Sequence, residues 1–188
     1  MTKILGILIL SLFLTAQLKA DNIRDFQIEG MSVGDSALDY FTEEEIENSK
    51  EDYYKDYKPE KFIAIEVTFR NFEVYDAIQF GVKKRDKEYI IYYLKGMIDY
   101  TENIDDCYKK QIEVDKELTE LFTNVEMSRS NHKLSDGGTV KSINYWFPSG
   151  DLAEIDCYNF NDDKTSIDHI RIGIKTKEVN DWLWANQQ

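Results

Sequence analysis

"YIIYYLKGMIDYTENIDDCYKKQIEVDKELTELF" covers residues 89–122, and its periodicity changes midway. From Tyr89 to Leu94 both faces are apolar, as expected of a central strand covered on each side. Beyond Tyr100 the spacing turns helical. Ile104, Cys107, Val114, Leu118 and Leu121 fall on one face, with Gln111 as a polar gap. Thr101 or Asn103 supplies an N-cap, and acids follow in the first turn. A buried strand therefore feeds the longest helix of the chain.

Upstream, Ile63, Ile65, Val67 and Phe69 alternate in "KFIAIEVTFR" (61–70). Val74, Asp76, Ile78, Phe80 and Val82 alternate in "NFEVYDAIQFGVKK" (71–84), and "RDKE" predicts a hairpin turn. Downstream, strands are expected around 125–132, 139–147, 151–160 and 167–174, with "PSGD" (148–151) as a tight turn. A short helix closes the chain after Thr176. At the other end, "IRDFQIEG" reads as a short strand or extended lead-in. Ser32 with Asp35 and Thr42 with Glu45 have capping-box spacing, predicting short helices over 33–40 and 43–48. The class is α+β: a mainly antiparallel sheet of about seven strands, an N-terminal pair of short helices, a long central helix and a short C-terminal helix.

Residues 1–20 do not fit this pattern. Lys3, the apolar "ILGILILSLFLTA" (4–16) and "QLKA" have the order of a secretory signal peptide cut after Ala20. The apolar run is shorter than the roughly 20 residues that span a bilayer. The remainder, 21–188, is expected to be one domain in the periplasm or outside the cell, without stable membrane insertion. Losing Lys3 and Lys19 with the leader takes the formal charge from −13 to −15, which repels nucleic acid. A hydrophobic content of 42% argues against disorder. Cys107 and Cys157, an even pair in an oxidising compartment, are expected to form a disulfide, both pointing into the core.

Motifs for chemistry fail on inspection. "EGMSVGDSALDYF" (29–41) has no lysine for a phosphate loop, and Ser36 lacks the G-x-S-x-G context of a nucleophile, so the stretch is read as a helix start. His132 and His169 are read as structural, since Asp168 and His169 would point to opposite faces of a strand and Asp136 is the other available carboxylate. In "NFNDDKTSIDHI" Asn159, Asn161 and Asp163 alternate like calcium ligands. Lys164 and Ile170 break the pattern where glycine and glutamate belong, which leaves a weak nonstandard site around Asp162 and Asp163 as the remaining metal option. No catalytic residue, cofactor site or metal site is therefore assigned. Tyr53, Tyr54, Tyr57 and the out-of-phase Trp146 form a candidate contact surface, with Trp182 and Trp184 open to the same reading.

"FQIEGMSVGDSALDYF", "NIDDCYKKQ" and "IKTKEVNDWL" together resemble a group of small exported proteins from marine bacteria. The resemblance implies export and a shared fold, and it names no reaction. The expectation is an exported binding module whose partner is a protein or an envelope component. The alternative is a hydrolase of cell-wall or polysaccharide material that uses two carboxylates.

Overall fold

A computed structural model describes residues 22–135, 137–160 and 166–186. The expected leader (1–20) lies outside these residues, as do Asp136 and the 161–165 part of the calcium-like segment.

Among the described residues eight strands make one antiparallel sheet: β1 (Lys50–Glu51), β2 (Phe62–Val67), β3 (Ala77–Lys83), β4 (Tyr93–Asp99), β5 (Glu126–Lys133), β6 (Thr139–Trp146), β7 (Leu152–Asn159) and β8 (His169–Lys175). Their spatial order is β1-β2-β3-β4-β8-β7-β6-β5, two meanders joined where β4 pairs with β8. The described residues also form three α-helices: α1 (Glu43–Asn48), α2 (Ile104–Leu121) and α3 (Lys177–Asn186). The α+β class is as expected, and β4 lies inside the sheet, but it begins only at Tyr93. Most of the apolar 89–94 run precedes it, with Tyr89 and Ile91 pairing with 34–37 instead, and Lys95 and Asp99 make one face of β4 polar.

Alternation assigns the two faces of the sheet. Ile65, Val67, Ile78, Phe80, Leu94, Ile170, Ile172, Ile174, Ile155 and Ile143 face α2 and the N-terminal segment, which adds Ile23, Ile28, Met31 and Ile46 to one large core. Asn103 caps α2 by accepting from Asp105 N. The Cys107–Cys157 disulfide ties α2 to β7, and closing a loop of 50 residues stabilises by about 4 kcal/mol in the chain-entropy description. The polar gap has a purpose, because Gln111 Nε2 donates 2.8 Å to both Lys141 O and Ile155 O.

The opposite face carries a smaller apolar cluster at one end. Phe62, Ala64 and Tyr93 are roofed there by Val179 and Trp182 of α3 and by Tyr54 and Tyr57 of the 52–60 connector. Trp182 Nε1 donates to Pro59 O at 2.7 Å, fixing helix to connector. Tyr93 lies flat over β3 because Gly81 has no side chain; a Cβ there would meet the ring at 1.9 Å.

Four expectations need correction. The strand count is eight because Lys50–Glu51 adds a two-residue edge that sequence periodicity cannot register. The helix expected over 33–40 is only a 3-10 turn, Ala37–Asp39. Ser32 Oγ donates to Phe26 O instead of capping, and backbone groups of 34–37 pair with Tyr89 and Ile91. The strand expected from Val74 starts at Ala77, since the amides of Val74 and Tyr75 donate to the Glu29 carboxylate. The lead-in 23–30 is a 3-10 turn and an isolated bridge, with no ladder strand. At α1, by contrast, the Thr42–Glu45 capping box is complete in both directions.

Candidate functional site

Beyond α3 and the connector, the same sheet face becomes polar. Strand alternation places Glu66 on β2, Gln79 on β3, Lys95 on β4, Arg171 and Lys175 on β8, and Glu154 and Asp156 on β7 side by side there. Lys95, Gly173 and Glu154 stand opposite one another on three consecutive strands. Lys95 Nζ crosses over Gly173 to lie 2.8 Å from Glu154 Oε1, a charge contact off the line of a hydrogen bond, while Lys175 Nζ holds Oε2 at 2.6 Å. Glu154 is only 4% exposed. At the outer side of this row Tyr53 Oη and Gln79 Nε2 both donate to Glu66 Oε2.

The two β7 carboxyls are driven apart. Burial opposes ionisation of Glu154, but Lys175 and Lys95 outweigh it and take its pKa down to about 2. Asp156 is equally buried and has no such lysine pair. Burial, with the Glu154 charge added, pushes it up to about 6, against a hydrogen bond from Ser142. His169 is buried too. Its Nδ1 meets Ile167 O at 2.8 Å, and its Nε2 accepts from Arg171 Nε at 2.9 Å. Burial and then the Arg171 charge take its pKa down to about 4, so it stands as a neutral acceptor.

The four aromatics singled out from the sequence lie on this one face. Tyr54 and Tyr57 pack against Trp182, while Tyr53 points outward, 50% exposed. Trp146 is half-buried and belongs to the lateral row of Tyr93, Lys175 and Leu152. Three strand spacings put it about 14 Å from Tyr93 along that row. Trp182 is buried and Trp184 is exposed.

Ser36 Oγ donates to Glu88 O at 2.6 Å and accepts from Leu38 N. Asp168 turns from His169 to accept from Phe160 N, and His132 is exposed on β5. Among the described residues no group of three His, Cys, Asp or Glu side chains could hold a metal ion. Among them, too, no helix is long and apolar enough to cross a membrane. A cavity of about 200 Å³ lies under the connector, lined in part by Glu51, Lys55, Glu60 and Phe62.

The charged row itself was not singled out from the sequence. Its signal was present as charges at every second position of otherwise apolar strands, in "LKGM", "LAEIDC" and "HIRIGIK". What joins them is the strand order. No protein-family profile, curated protein or solved structure matches the chain.

Proposed function

We propose that the protein is an exported, non-catalytic binding module that engages a protein or envelope component through the sheet face bearing Tyr53, Arg171 and Trp146. One observation carries this reading. The central carboxylates on that face are engaged internally, Glu154 by two lysines and Glu66 by Tyr53 and Gln79, whereas the face also presents aromatic side chains to solvent. Aromatic side chains of this kind are frequent anchors of contact surfaces. The test is retention from envelope extract on the immobilised chain starting at Asp21, in parallel with the Tyr53→Ala/Trp146→Ala variant. Components held by the parent and lost by the folded variant support the reading. Identical retention by both removes this face as the binding surface.

The second reading, a carboxylate-dependent hydrolase, is favoured by one feature: neighbouring same-face carboxyls whose pKa values are driven apart, as acid and base pairs require. Release of reducing ends from peptidoglycan or polysaccharide by the parent, abolished by Glu154→Gln and by Asp156→Asn, would establish it over the binding reading.

A further inference from the structure

Arg171 is placed with more care than a surface cation needs. Its Nε donates to His169 Nε2, and its guanidinium carbon lies 4.5 Å from the centre of the Tyr158 ring. The ring of Tyr158 in turn stacks on His169 at 4.8 Å. His169 can accept only as a neutral ring protonated on Nδ1, the tautomer that its contact with Ile167 O assigns. Rotation and tilt of the guanidinium are thereby set, and its two Nη groups form the edge left for other partners.

Among the described residues no carboxylate stands within ion-pair distance of that edge. The lysines nearby are engaged, since Lys95 and Lys175 both hold Glu154. Asp156 is opposite Arg171 in register, yet its hydrogen bond comes from Ser142 and it makes no ion pair with the guanidinium. Tyr53, half exposed, lies near enough for the Arg171 charge to act on its phenol. A cation held by a neutral imidazole and an aromatic face, with no carboxylate of the described residues on its fork, is organised before any ligand arrives.

We propose that the Nη edge of Arg171 is the docking point of a small carboxylate ligand, gripped through two parallel N–H···O bonds, with Tyr53 available to the ligand's carbon skeleton. The guanidinium fork fits carboxylate and phosphate alike. The surroundings choose between them. Glu66, Glu154, Asp156 and Asp99 share the face, and the chain carries a formal charge of −13, so a monoanion meets less repulsion than a phosphate dianion. The carboxylate belongs either to a sugar acid or to a peptide C-terminus, which present the same group to the arginine.

This inference rests on the reading that the face binds a ligand. Its test is isothermal titration of the chain starting at Asp21 with D-glucuronate, N-acetylglycine, D-glucose and inorganic phosphate at low ionic strength. Saturable binding of at least one carboxylate is expected, with glucose silent and phosphate weaker. The carboxylate that binds identifies the source. Both R171A and R171K are expected to weaken that binding by about tenfold or more, because lysine keeps the charge and loses the fork. If R171A does not fold, R171K alone supplies the comparison. Silence of both carboxylates, phosphate binding as tightly, or undiminished affinity in R171K overturns the proposal. The two readings fail separately. Envelope retention that depends on Tyr53 and Trp146, with titration silent, removes only the carboxylate; carboxylate binding without such retention removes only the macromolecular partner.

Discussion

Lys95 and Glu154 belong to strands that are not neighbours, and their 2.8 Å contact forms over Gly173, the residue of β8 that stands between them. A Cβ on Gly173 would lie 2.6 Å from Lys95 Cγ and 2.8 Å from Leu94 O. The lysine stem occupies the space a side chain would fill, so the ion pair depends on a glycine whose backbone is ordinary extended strand.

Gly173→Ala is therefore expected to destabilise by about 2–3 kcal/mol, since the Leu94 carbonyl cannot move aside as a flexible side chain could. Urea unfolding measures it. A change within about 0.5 kcal/mol, the range of ordinary surface substitutions, would show that Lys95 repacks without cost.

Glu154→Gln leaves two buried ammonium groups facing an uncharged amide and is expected to cost roughly 3–5 kcal/mol at neutral pH. The folded-state pKa, down to about 2, lies below the unfolded value. The carboxylate's contribution is thus complete above the unfolded pKa of about 4.3 and is lost as pH falls from there toward the folded pKa. The parent should lose stability over that acid interval, and the variant should show a shallower decline.

Asp156 has the opposite sign. Its folded-state pKa, up to about 6, lies above the unfolded value, so the unfolded chain gives up this proton first as pH rises. Stability is lost between about pH 4 and 6 on this account, and the loss persists at neutrality. Asp156→Asn, which keeps an oxygen for Ser142, is expected to stabilise by on the order of 2 kcal/mol at pH 7 and by little at pH 4. A variant less stable than the parent at pH 7 would refute the assignment of an unfavourable charge.

Glu29 accepts from three successive amides, Glu73 N at 3.0 Å, Val74 N at 2.8 Å and Tyr75 N at 3.4 Å. Glu29→Ala leaves those donors without their carboxylate and is expected to cost about 1–2 kcal/mol, with faster amide exchange confined to 73–75. Exchange at those amides that matches the parent would mean that water replaces the carboxylate fully.

Much of the fold was legible because local rules decided it. Period-two apolar residues located β2, β6, β7 and β8, the helical face of Ile104 to Leu118 located α2, and Thr42 with Glu45 located α1. Reading failed where a backbone amide found a distant partner instead of a local one. Val74 and Tyr75 look like strand residues, but Glu29 takes their amides; Ser32 looks like a cap, but its hydroxyl turns to Phe26. The functional face was half legible. Tyr53, Tyr54, Tyr57 and Trp146 could be picked out, yet nothing local placed them on one side of one sheet.

The order of residues alone determined the α+β class, the core-facing sets of β3, β6 and β7 and the disulfide pairing of Cys107 with Cys157. Each follows from spacing along the chain or from there being two cysteines. Only the tertiary structure decided that β8 inserts between β4 and β7, and with that insertion came the meeting of Lys95, Lys175 and Glu154 and the setting of Arg171 against Tyr158. Charge pairing across strands depends on which strands are neighbours, and that choice is made by the whole core at once.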